Sequence, residues 1–445
     1  MSEPAEHAPA AVTSAALHRR VIVASTIGNA FEWFDFTLFG LFTLVIAREF
    51  FPVSSHTGSL LLGTATLGAA FFFRPIGGIV FGVYADRLGR KRALAVMVLL
   101  MAAATACLGL IPGYQRIGML APLLVVLARI LQGFSAGGEF SSATALLVEY
   151  APAGHKGFYG SFQMCSQSLA VTLAGLSVYT LSNWLSPGHL QSWGWRLPFL
   201  LGILVGPVGF YIRQRLQESP AFATYLQHHP KADAAALGNG LVRARTSLVS
   251  GFGLTVSATA AFYVTFIYMP IFAVRQLHLT LAQAALPTML CGLMLTLLCP
   301  LTGLWSDLWG RKRMLVSAML AYALVSLVLT AWVLRAPGFG NYLLLQCAAT
   351  ICIAFLWGPF PTAVTEAVPM GVRATGVALV YNLSVMLFGG LAPFFITAII
   401  GLTGNAMAPA LYVSGAVLLS LITYGVLGVK IRPLRPGAAA DQTLR

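Results

Sequence analysis

Two acidic residues, Glu32 and Asp35, stand three apart in an apolar stretch, Gly28-Asn29-Ala30-Phe31-Glu32-Trp33-Phe34-Asp35-Phe36. On a helix this spacing puts both on one face, with Asn29 below them. Carboxylates this close and partly desolvated resist being charged together, so one is expected to bind protons near neutral pH. Two arginines have equally apolar surroundings: Arg74 in Phe73-Arg74-Pro75-Ile76-Gly77-Gly78, and Arg129, which opens a stretch ending at Gly137-Gly138-Glu139. A guanidinium stays charged and offers a planar fork that suits a carboxylate. In a bilayer each such charge costs at least about 2.5–3.5 kcal/mol, which makes each a functional candidate. The chemistry within reach is proton binding by Glu32, Asp35 and Glu139, with anion binding by Arg129 first and Arg74 second. The structural alternative is a static ion pair between these carboxylates and arginines.

Uncharged polar groups extend the list. Gln163 and Gln167 are spaced to share one helix face that could line a cavity. The second half of the chain has no mid-membrane charge; it offers Tyr263, Tyr268, Trp357, Tyr381 and Asn382, and a helix break at Gly358-Pro359-Phe360-Pro361. The six cysteines all lie in apolar segments without CxxC spacing and read as small packing residues, so neither a metal nor a cofactor is expected. No nucleophile–base pair or phosphate loop suggests an enzyme.

These residues need a membrane to position them. Hydrophobic residues make up 58% of the 445 and charged residues 9%, far below the roughly 25% charged of a soluble domain. Helices are expected near 21–47, 58–84, 92–111, 120–149, 156–182, 195–213, 246–273, 282–305, 313–335, 341–366, 371–400 and 407–430, each long enough for a core needing about 20 residues. That gives an all-α membrane protein of twelve spans: a tail 1–20, a half 21–213, a linker 214–245, a half 246–430 and a tail 431–445. The net charge of +14 is distributed by topology, with twenty of the 27 Lys and Arg in segments assigned to the cytoplasm. This is the positive-inside pattern rather than a nucleic-acid patch, and it places both termini inside.

Two repeats relate the halves. Gly82-Val83-Tyr84-Ala85-Asp86-Arg87-Leu88-Gly89-Arg90-Lys91-Arg92 returns 221 residues later as Gly303-Leu304-Trp305-Ser306-Asp307-Leu308-Trp309-Gly310-Arg311-Lys312-Arg313. Gly89 and Gly310 supply the positive φ of a tight reversal. Asp86 and Asp307 can cap orphan N–H groups or pair with guanidiniums such as Arg87, Arg90 and Arg311. Glu149 and Glu366 fall in a second repeat, E-x-x-P-x-G-x-[K/R], and are expected to latch onto these turns as a gate. Both repeats lie on one side, so the halves run parallel, as in transporters with a midplane site between them.

The duplicated turn resembles the signature of the major facilitator superfamily. Within it, Gly28–Phe36, Arg74–Gly78, Arg129–Glu139, Trp195–Phe199 and Arg213–Phe222 resemble the metabolite:proton symporter branch. Lys156–Gln163 and Phe388–Pro393 look most like its citrate/tricarballylate members. The resemblance implies a proton-coupled symporter of the bacterial inner membrane importing a small carboxylate; lipid, protons and substrate are the expected partners, and the chain is expected to function as a monomer. Other substrates in that branch are 2-oxoglutarate, shikimate, proline and betaine. A transporter-like sensor is the rival outside the class.

Overall fold

The computed structural model describes residues 12–53, 55–88, 90–201, 234–369 and 372–426. The 431–445 tail and most of the sixth span and the 214–245 linker lie outside the described residues. Regular structure is helical throughout, with no strand among the described residues. Among the described residues, eight helices are long and apolar enough to cross a membrane, and a bent pair makes a ninth. Two shorter apolar helices, Val96–Leu110 and Ala408–Tyr424, fall on the third and twelfth spans.

The bends follow from local chemistry. At Val12, the first described residue, the first helix is already under way inside the expected tail, and no glycine or proline interrupts residues 12–27. The span then turns by 66° between Leu41 and Thr43, beside Gly40. The Thr43 hydroxyl donates to the Phe39 carbonyl at 2.9 Å, a back-bond of the kind that bends helices. The seventh span widens into a π-turn over Tyr263–Tyr268, just before Pro270. The eleventh does the same over Val385–Gly390, before Pro393. Proline lacks an N–H and crowds the carbonyl four residues back, and the wider turn accommodates both.

Two breaks correspond between the halves. The fourth span divides into Leu120–Ala136 and Glu139–Glu149 at Gly137-Gly138. The tenth divides into Phe339–Trp357 and Phe360–Ala367 at Gly358-Pro359, 221 residues later. Interrupted helices at matched positions of two repeats point to a site between them.

The halves meet along the fifth span (Lys156–Trp184) against the eighth (Leu281–Trp309), and along the second (His56–Leu88) against the eleventh. Gly157 and Gly303 sit backbone to backbone: a β-carbon on Gly303 would lie 2.6 Å from the Gly157 carbonyl oxygen. In the seventh span, Arg245–Gln276, every residue from 253 to 273 is buried.

Candidate functional site

The second and fourth spans touch through their backbones, with Gly133 against the Ala70 carbonyl and Gly137 against the Arg74 carbonyl. This contact aims Arg74 and Arg129 at the acidic face of the first span. Arg74 Nη2 pairs with Glu32 Oε1, and both side chains are about 1% exposed. Arg129 Nη1 holds Asp35 Oδ2 at 2.9 Å, equally buried. Each carboxylate of the first span thus has its own guanidinium, the pairing that the sequence offered as the alternative to a shared proton site. Three residues of helix separate them by about 4.5 Å, enough for arginines from two different helices to take one each.

Aromatic rings wall the pairs. The Arg74 guanidinium lies 5.7, 5.6 and 5.5 Å from the rings of Trp33, Phe36 and Phe71. Arg129 sits 3.9 Å over Phe39 and 5.8 Å from Phe36, so Phe36 flanks both. Such contacts stabilise a desolvated guanidinium. Arg74 and Arg129 each keep two buried nitrogens without a hydrogen-bond partner, as does Asp35 Oδ1. Glu139 is buried at the start of the helix after the fourth-span break and contributes to the field at Arg74.

The polar candidates have different surroundings. Asn29 donates to Ser166 Oγ at 2.6 Å and to the Gln163 carbonyl at 3.2 Å, tying the first span to the fifth. The Gln163 amide is buried with neither atom partnered. Gln167 Nε2 donates to the Tyr381 hydroxyl across the halves at 3.4 Å. Asn382 Nδ2 donates at 2.7 Å to the Gly137 carbonyl, at the fourth-span break. Tyr381 stacks on Phe140 with ring centroids 3.6 Å apart.

Between the halves lies a cavity lined by Gln167 and by the rings of Trp33, Phe262, Tyr263, Trp357, Phe360 and Tyr381. It is closed down to about the room one water molecule needs. The Tyr263 hydroxyl is buried there without a partner. Of these rings the sequence signalled Tyr263, Trp357 and Tyr381, only as residues able either to pack or to line a site, and it did not single out Trp33 or Phe262.

At the end carrying the repeat turns, Gly310 takes φ +91°. Asp307 accepts from the backbone N–H of Gly157 at 2.9 Å and of Phe158 at 3.2 Å. Arg311 bridges Asp307 at 2.8 Å and Glu366 at 2.9 Å. Thr362, which sequence reasoning did not single out, donates to the Lys156 carbonyl at 2.9 Å. In the second half, capping of two N–H groups and two ion pairs thus coincide on one carboxylate and one guanidinium. Gly89 and the side chains of Asp86, Arg87, Arg90 and Glu149 lie outside the described residues.

A family model described as the Major Facilitator Superfamily matches residues 25–393. A citrate-proton symporter of Salmonella typhi is 36% identical over 427 residues, covering 96% of this chain and 97% of the relative. Another, from Klebsiella pneumoniae, is 37% identical, covering 95% and 94%. Among solved structures, the xylose transporter XylE from E. coli, in a partially occluded inward-open conformation, superposes with a TM-score of 0.74 at 18% identity, covering 92% of this chain and 98% of that one. The match to the family model, near full-length relatives and the paired six-span halves leave one placement: the chain belongs to the major facilitator superfamily.

Proposed function

We propose that the protein is a proton-coupled symporter that imports a small organic acid, a di- or tricarboxylate such as citrate or tricarballylate, by alternating access. The observation that carries this reading is the pair of buried carboxylate–guanidinium bridges, Glu32–Arg74 and Asp35–Arg129, the first of them next to Trp33 in the wall of a cavity between the halves. A proton on Glu32 or Asp35 neutralises one partner and leaves its arginine free to attract an anion, so proton and substrate act on the same charge balance. Glu139 is the third proton-binding candidate.

The repeat-turn end faces the cytoplasm in this reading, and the Asp307–Arg311–Glu366 cluster forms the inner gate. Both termini are cytoplasmic, the membrane is the bacterial inner membrane, and one chain suffices for transport. A second reading, symport of a zwitterion such as betaine or proline, is favoured by the aromatic cavity wall, since ring faces suit a quaternary ammonium.

The test is uptake of labelled citrate into proteoliposomes, with an inward proton gradient imposed or collapsed and with tricarballylate, 2-oxoglutarate, shikimate, proline and betaine as competitors. Gradient-driven citrate uptake competed by carboxylates supports the reading. Uptake of betaine or proline without citrate flux replaces the substrate class. Binding without gradient-driven flux of any candidate favours a sensor.

A further inference from the structure

The two membrane arginines are not equivalent with respect to the cavity. Neither Phe36 nor Phe39, the rings around Arg129, lines it. The surroundings of Arg74 reach it directly. Trp33, 5.7 Å from the Arg74 guanidinium, is a lining residue and lies 5.9 Å from the ring of Tyr263, also lining. Phe71 makes a second link, 5.5 Å from Arg74 and 5.3 Å from Tyr263. Arg74 and Tyr263 therefore share two aromatic neighbours, of which Trp33 lines the cavity, although they belong to opposite halves.

Both also have unused hydrogen-bonding capacity. Arg74 gives Nη2 to Glu32, while Nε and Nη1 are buried without a partner. The Tyr263 hydroxyl is buried and unpartnered too. Buried donors left unmade are costly, and each one calls for an acceptor. Tyr263 opens the π-turn of the seventh span, a wide turn of the sort found at functional positions.

We infer that Arg74 and Tyr263 form a single carboxylate subsite shared between the halves, the guanidinium donating from one side and the phenol hydroxyl from the other. This deepens the organic-acid reading and rests on it. It reverses the order expected from sequence: Arg74 holds the substrate, and Arg129 serves Asp35. A carboxylate bridging the two residues joins the halves only when the cavity is occupied, which ties loading to closure.

The test compares wild type, Tyr263→Phe and, as a control for losing a buried hydroxyl elsewhere in the second half, Tyr342→Phe. Labelled citrate and tricarballylate uptake is measured in proteoliposomes, and citrate-induced thermal stabilisation in detergent. Loss of one charge-assisted hydrogen bond is expected to raise the Tyr263→Phe KM roughly ten- to a hundredfold at an unchanged maximal rate. It should also abolish the citrate-induced Tm shift while leaving the ligand-free Tm in place; Tyr342→Phe should keep the wild-type KM. Arg74→Lys, which retains charge but loses the fork, should weaken citrate more than Arg129→Lys does. An unchanged KM and Tm shift in Tyr263→Phe, with a transporting wild type, overturns the subsite alone. A wild type that moves no carboxylate removes the organic-acid reading and the subsite with it.

Discussion

The carboxylate of Asp307, in the second half, accepts the backbone N–H of Gly157, in the first, at 2.9 Å, and that of Phe158 at 3.2 Å. These are among the orphan donors at the start of the fifth span, where the helix dipole favours negative charge. The same carboxylate is held by Arg311 and, through it, joined to Glu366. One acidic side chain thus ties a helix end of one half to a charged cluster of the other.

Asp307→Asn keeps the shape and removes the charge. Hydrogen bonds to charged groups contribute about 1.5–3 kcal/mol, so the amides of Gly157 and Phe158 should exchange with solvent deuterium roughly ten- to a hundredfold faster. Unaltered exchange at both positions would mean that the contact does not hold the halves together.

Arg129→Ala strands Asp35 in a buried site. Removing one member of a buried pair costs about 3–5 kcal/mol, which should appear as a lower unfolding temperature in detergent together with lost uptake. Arg129→Ala/Asp35→Ala leaves no unpaired charge and should recover stability without recovering uptake. A single variant as stable as the parent would contradict the pairing.

Glu32→Gln mimics a permanently protonated carboxylate beside Arg74. Gradient-driven accumulation should disappear, while exchange of labelled for unlabelled substrate across the vesicle persists. Accumulation equal to that of the parent would move proton coupling to Asp35 or Glu139.

Asn382→Ala removes the donor to the Gly137 carbonyl at the break in the fourth span. A lost buried partner costs about 1–3 kcal/mol, measurable as a lower unfolding temperature. Asn382→Asp should be worse, because it sets oxygen against oxygen. A more stable Asp variant would indicate that the amide is oriented otherwise.

Much of this arrangement was legible in the chain because hydropathy and repetition are local properties. The spans, the turn at Gly310, the Asp307–Arg311 pairing, the attachment of Glu366 and the break at Gly358-Pro359 all followed from neighbours in sequence. What was not legible depends on how helices rotate about their axes. Whether Arg74 takes Glu32 or Asp35 is decided by Gly133 and Gly137 seating the fourth span against the second, a contact between distant segments. The 66° bend near Phe42 carries no proline to announce it. The idle hydroxyl of Tyr263 is a property of its surroundings, so it could be named from sequence only as one aromatic among several.

The seventh span, buried from 253 to 273, has a consequence for chemical labelling. A carbene-generating probe dissolved in the bilayer should tag the ninth and eleventh spans, whose apolar stretches lie largely at the surface, and leave residues 253–273 of the seventh blank. Bilayer thickness and acyl composition can then act on this helix only through its neighbours. Its greasiness was shaped by fitting other side chains rather than by dissolving in fat.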